Sequence, residues 1–106
     1  VYLVEGGDSR QESVEHGLAR ISPDAELVAV HDAVRPFASP GLIRSVIEAA
    51  GECGAAIAGV VPVDTVKQIH LNRIQTTISR DRLVLAQTPQ VFRTDLLRRA
   101  FAKARR

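Results

Sequence analysis

The sequence predicts an α/β fold: a mostly parallel sheet with helices on both faces. Three observations carry this. Short apolar runs at 1–4, 27–30 and 55–61 alternate with amphipathic helical segments, the order that builds parallel sheets through right-handed crossovers. Leu27-Val28-Ala29-Val30 is apolar without alternation, as strands buried on both faces are. A polar cluster follows each run, where the ligands of such sheets sit. The 106 residues are enough for one domain and too few for two.

Val1-Tyr2-Leu3-Val4 reads as a first short strand, followed by the turn Glu5-Gly6-Gly7-Asp8. Ser9 with Glu12 three residues on is a capping-box signature, so a helix runs from about Arg10 to Arg20, with Val14, Leu18 and Ile21 on one face. Ser22-Pro23-Asp24 ends it. After the strand 27–30 comes the loop His31–Ala38. Ser39 as N-cap and Pro40 as first helical residue open a second helix, carried by Leu42, Ile43, Val46, Ile47 and Ala50 and closed by Gly54. Ala55 to Val61 is a strand ended by Pro62. Thr65–Ile69 and Ile74–Ile78 alternate and are joined by His70-Leu71-Asn72-Arg73, which predicts a hairpin. A lone hairpin is marginal in water and needs a surface to pack on, such as a second subunit. Leu83–Ala86 reads as one more short strand. Thr94 is placed to cap a last helix, with Leu96, Leu97, Ala100, Phe101 and Ala104 on its apolar side.

Composition excludes several classes. Hydrophobic residues at 45% and charged residues at 25% are globular values, not disordered ones. No apolar run approaches the roughly 18 residues of a membrane span. Cys53 is the single cysteine and has no internal partner, which points to a reducing, cytoplasmic setting. There is no methionine, and the first residues are already strand-like; the chain reads as part of something longer. The net charge of +2 hides an asymmetry: residues 93–106 carry +5 (Arg93, Arg98, Arg99, Lys103, Arg105 and Arg106 against Asp95) and the first 92 carry −3. The basic end fits the solvated face of a helix better than a nucleic-acid site, because aromatics make up only 4% and stacking platforms are scarce.

Three constellations carry chemistry. Gly6-Gly7-Asp8-Ser9-Arg10 with Ser13 lets a planar ligand or a phosphate approach the backbone, although a tight capped turn explains the same residues. His31-Asp32-Ala33-Val34-Arg35-Pro36 sets an acid directly after a strand, which suits Mg²⁺, with Arg35 suited to a phosphate. An Asp32–Arg35 ion pair that merely holds the loop fits equally well. Asp64-Thr65-Val66-Lys67, with Thr76, Arg80 and Thr88-Pro89-Gln90 downstream, offers hydroxyls and cations to a phosphorylated polyol. Strand propensity and edge protection explain Thr65 and Lys67 as well.

In this order, Gly6-Gly7-Asp8-Ser9-Arg10 with Ser13-Val14 and Gly17-Leu18, Val30-His31-Asp32-Ala33-Val34-Arg35-Pro36-Phe37, Asp64-Thr65-Val66-Lys67 and Gln87-Thr88-Pro89-Gln90-Val91-Phe92 closely resemble the 2-C-methyl-D-erythritol 4-phosphate cytidylyltransferases over essentially the whole chain. The resemblance implies a Rossmann-like nucleotidyltransferase, a three-layer sandwich with a protruding β-hairpin arm at about 63–82. It implies cytidylyl transfer from CTP to methylerythritol phosphate in non-mevalonate isoprenoid synthesis, with Mg²⁺. It further implies that Gly6, Gly7, Asp8 and Ser13 hold the cytosine ring, that Asp32 binds the metal, and that Ala33 and Arg35 lie near nucleotide and acceptor phosphate. Thr65 and Arg80 would complete the acceptor site of a partner in a homodimer, with Thr88 near the same alcohol. The family's opening glycine-rich Arg…Pro-Lys loop and its closing Thr-Asp and Lys have no counterpart in the 106 residues, and the stretch between Pro62 and Asp64 is one residue short. The span therefore reads as the central part of the enzyme and is expected to be inactive alone. A ribitol-5-phosphate cytidylyltransferase shares these motifs and is the nearest rival. A non-catalytic dimerisation module is the rival of a different class, and neither a nucleic-acid nor a membrane partner is expected.

Overall fold

The computed structural model describes residues 1–104. Its elements are α1 (Arg10–Leu18), β1 (Leu27–Val30), α2 (Pro40–Cys53), β2 (Ala55–Val60), β3 (Val66–His70), β4 (Arg73–Ile78), a 3₁₀ turn (Arg80–Arg82), β5 (Leu85–Arg93) and α3 (Thr94–Ala104). Arg105 and Arg106, part of the basic end noted above, lie outside the described residues.

The helices begin where local chemistry says they should. Ser9 Oγ accepts from Glu12 N at 3.1 Å to start α1, and Ser39 Oγ accepts from Leu42 N at 3.1 Å to start α2, with Pro40 in its first turn. Gly54 closes α2 in the left-handed region at φ 93°, where an L side chain is disfavoured, and its N–H donates to Ala50 O at 2.7 Å. Thr94 differs from expectation. It is the first residue of α3 rather than its cap, and its N–H donates to Glu26 O at 3.0 Å. Among the described residues its buried Oγ1 has no partner.

The main sheet has the order β1-β5-β2. The α/β architecture holds, but the mostly parallel pairing does not: β5 runs antiparallel to both neighbours. Strands β1 and β2 do run in the same direction and are joined by α2. The chain re-enters from the arm at their carboxyl ends, so β5 must run back between them. Residues 1–4, expected as a strand, form no ladder. Among the described residues no strand lies beside them to take their backbone groups, and Leu3 is fully exposed. Tyr2 instead packs its ring against Arg20, whose guanidinium carbon lies 5.1 Å from the ring centre.

The expected short strand 83–86 is the opening of a longer one. Strand β5 continues through Thr88-Pro89-Gln90. The ladder with β2 is interrupted between Ile57 and Gly59, opposite that stretch, which is where a proline without an N–H is tolerated in a central strand. The Thr88–Pro89 peptide is cis, and Gln90 Nε2 donates to Gln87 O across it at 3.2 Å. The core lies on the α2 side: Val46 and Ala50 pack on Ala58 and Val91, with Leu27 and Ala56 at the margin. On the opposite face, α1 and α3 leave two clefts of about 200 and 230 Å³.

The hairpin is present. Strands β3 and β4 pair with His70 opposite Arg73 across the two-residue turn Leu71 (φ 49°) and Asn72 (φ 63°). Two left-handed residues are what a twist-matched hairpin turn requires; Asn72 adopts that region readily, and Leu71 at a greater cost. Ile69, Leu71 and Ile74 are all more than 60% exposed, so the hairpin shows apolar side chains to solvent. The radius of gyration is 16.6 Å, against about 13 Å for a compact chain of this length.

Candidate active site

The glycine turn is clamped by α1. Gly7 N donates to Ser13 Oγ at 3.0 Å, Asp8 N donates to Glu12 Oε2 at 3.0 Å, and His16 Nδ1 lies 2.9 Å from Glu5 O. A Cβ on Gly7 would fall 2.3 Å from Glu12 Cγ, and one on Gly6 3.2 Å from Ser13 Oγ. Gly7 is thus set by the closeness of the helix that follows, and Gly6 approaches it tightly. Ser13 accepts from the turn and keeps its own hydroxyl proton to donate. Asp8 and Gly6 face solvent.

The second group grows from the carboxyl end of β1. Asp32 N donates to Thr88 Oγ1 at 3.0 Å, so β5 pins the loop to the sheet, and Thr88 is only 4% exposed. Arg35 N donates to Asp32 O at 3.0 Å and closes a tight turn. His31 Nε2 lies 2.7 Å from Arg35 O, which makes His31 a loop-closing residue. Arg35 Nε donates to Asp32 Oδ2 at 3.2 Å. The ion pair that the residues alone left open is therefore formed. Asp32 Oδ1 is occupied too: Arg10 Nη2 stands 3.6 Å away. Ala33 and Arg35 are exposed.

Arg10 is the residue that sequence reasoning passed over as a functional group, and it ties the two motifs together. The available signal was its place as the first helical residue behind the glycine turn. One carboxylate between two guanidiniums leaves the cluster with a net positive charge, suited to phosphate oxygens. The Asp32 side chain stays about one-third exposed. Among the described residues no group of three or more His, Cys, Asp and Glu is placed to hold a metal. A cation here would take a single protein carboxylate, the habit of Mg²⁺ when phosphates supply its other ligands.

Thr65 and Arg80 flank the β3–β4 hairpin, one just before β3 and one in the 3₁₀ turn after β4. Arg80 donates through Nη1 to Val63 O, Thr65 is exposed, and among the described residues neither is hydrogen-bonded to Asp32, Arg35 or Thr88. A concavity of about 650 Å³ lies away from the site, lined by Pro23, Glu26, Arg93, Asp95 and Arg98 at the other end of β1 and β5. No helix among the described residues is long and apolar enough to cross a membrane.

The family model described as IspD, 2-C-methyl-D-erythritol 4-phosphate cytidylyltransferase, matches residues 1–106. A protein of that name from Solibacter usitatus is 58% identical, covering all of this chain and 45% of the relative. One from Acidobacterium capsulatum is 52% identical, covering 98% and 46%. The crystal structure of the Thermus thermophilus cytidylyltransferase superposes with a TM-score of 0.84 at 44% identity, over 95% of this chain and 49% of that one. The 4-diphosphocytidyl-2C-methyl-D-erythritol synthase structure from Anaerococcus prevotii gives 0.87 at 37% identity, over 93% and 46%. The chain spans about half the length of the curated relatives it matches. A Rossmann-like fold, a clamped glycine turn and an arginine-flanked Asp32 thus meet in one continuous match: the chain belongs to the 2-C-methyl-D-erythritol 4-phosphate cytidylyltransferase family.

Proposed function

We propose that this span supplies the base-recognition turn, the cation-binding carboxylate and the arm of an enzyme that transfers a cytidylyl group from CTP to 2-C-methyl-D-erythritol 4-phosphate. The observation that carries the reading is Asp32, fixed through its backbone to Thr88 and flanked by Arg10 and Arg35 beside the glycine turn.

The backbone of Gly6, Gly7 and Asp8, with the Ser13 hydroxyl, reads the edge of the cytosine ring. Ala33 offers close backbone approach beside the nucleotide. Arg35 draws the acceptor phosphate toward the α-phosphate. An acceptor phosphate oxygen attacks the α-phosphorus in line, the bond to the β-phosphate bridging oxygen breaks, and pyrophosphate leaves. No side chain becomes covalently bound; the residues position the reactants and neutralise charge. Bound Mg²⁺ supplies charge neutralisation and a template for the phosphates, and Asp32 is the residue that holds it. Thr88 accepts from Asp32 N and keeps a proton to donate to the acceptor alcohol. The arm reaches a second copy, so Thr65 and Arg80 complete the partner's acceptor site. Its exposed Ile69, Leu71 and Ile74 support this homodimer. The setting is the reducing cytoplasm, in keeping with a free Cys53.

The relatives' greater length supports a further point: a triphosphate-binding loop and a closing lysine come from residues outside this span, so the 106 residues alone do not turn over CTP. The test is a pyrophosphate-release assay comparing methylerythritol phosphate with ribitol 5-phosphate. A complete protein carrying this span is expected to prefer methylerythritol phosphate in kcat/KM, and the isolated span to release nothing. A preference for ribitol 5-phosphate, or turnover by the isolated span, overturns the corresponding part.

A further inference from the structure

Arg10 and Arg35 grip the same carboxylate unequally. Arg35 belongs to the loop: its N–H donates to Asp32 O, its carbonyl faces His31, and its Nε donates to Asp32 Oδ2 at 3.2 Å. Arg10 comes from another element. Its Nη2 stands 3.6 Å from Oδ1 with the side chain 57% exposed, a charge contact too long for a hydrogen bond and weak by the standard of exposed pairs. It also borders the 200 Å³ cleft between α1 and the sheet, which leaves the guanidinium room to move. A divalent cation arriving at Asp32 meets two positive neighbours, and the one it displaces at least cost is Arg10.

We propose that Arg10 is a displaceable counterion of Asp32: it occupies Oδ1 until a divalent cation takes that oxygen, and then turns its guanidinium to the incoming polyphosphate. It is a positioning residue for the cation and a direct ligand for the anion. This inference rests on the reading of Asp32 as the cation-binding carboxylate. It implies that cation and polyphosphate enter together, since the cation alone is opposed by Arg10 and the anion alone meets an Arg10 still held by Asp32.

The test measures two affinities in a complete protein carrying this span and in its variants: Mn²⁺ alone by electron paramagnetic resonance, and inorganic tripolyphosphate alone by calorimetry. Arg10→Gln is expected to tighten Mn²⁺ by about two- to fivefold and to weaken tripolyphosphate by a similar factor. Arg10→Lys, which keeps the charge, stays close to the parent in both. In the Asp32→Asn background, Arg10→Gln no longer tightens Mn²⁺. A purely structural Arg10 would weaken both ligands together, or neither, and that result overturns the proposal. The two readings separate cleanly: if Asp32→Asn binds Mn²⁺ as the parent does, the carboxylate assignment fails; if Asp32→Asn abolishes Mn²⁺ binding yet Arg10→Gln does not tighten it, only the counterion role fails. Matching circular dichroism spectra establish that each variant is folded.

Discussion

Asp32→Asn is expected to lower the turnover of a complete protein carrying this span by roughly a hundred- to a thousandfold, the effect of removing one group aimed at charge in a transition state, while the fold stays intact. Asparagine keeps the shape of the side chain and the backbone bond to Thr88. What is lost is a pair of charge contacts with Arg10 and Arg35, at 3.6 and 3.2 Å, between side chains 34–57% exposed. Contacts of that exposure contribute no more than about 1 kcal/mol each, so stability changes little. Steady-state pyrophosphate release gives the first quantity and a urea unfolding curve the second. Near-normal turnover in a folded Asp32→Asn variant would remove the carboxylate from the mechanism.

Thr88→Val couples the site to the fold. The substitution keeps the volume of a buried side chain and deletes the oxygen that accepts from Asp32 N. A polar backbone group left unpaired in a part-buried position costs about 1–3 kcal/mol, and the loop bearing Asp32 loses its tie to β5. We expect a lower urea midpoint together with a fall in kcat. Thr88→Ser keeps the acceptor and loses a methyl group; it should lose at most about 1 kcal/mol and retain most of its turnover. If the two variants behave alike, the hydroxyl is not what holds the loop.

These two residues also mark where sequence reasoning stopped. Features written in neighbouring residues were legible: Ser9 with Glu12, Ser39 with Pro40, Gly54 at the end of α2, and the hairpin turned at Leu71-Asn72 all form as their local chemistry dictates. So were the glycine turn and the Asp32–Arg35 pair, whose partners lie within six residues of one another. Sheet order was not. The antiparallel placement of β5 depends on where the chain re-enters after the hairpin, which periodicity does not encode, and the strand reading of Leu83–Ala86 stopped short of Pro89, which lies in the middle of β5. Residues 1–4 have strand composition but gain a ladder only from a neighbour. The bond from Asp32 to Thr88 spans 56 positions and the contact with Arg10 joins two elements; only the folded sheet brings them together. Thr94 shows a related limit: a residue of capping type starts α3 with its Oγ1 unpartnered among the described residues, while its N–H is tied to the distant Glu26 carbonyl.

The glycine turn and Asp32 are proposed to form one nucleotide site dedicated to cytidylyl transfer. The most direct test is pyrophosphate release by a complete protein carrying this span, with methylerythritol phosphate fixed and CTP, UTP, ATP and GTP offered in turn, with and without Mg²⁺. Turnover is expected with CTP, strongly reduced with the other three nucleotides and abolished by chelation. Equal turnover with a purine nucleotide, or turnover that survives removal of the divalent cation, would contradict it.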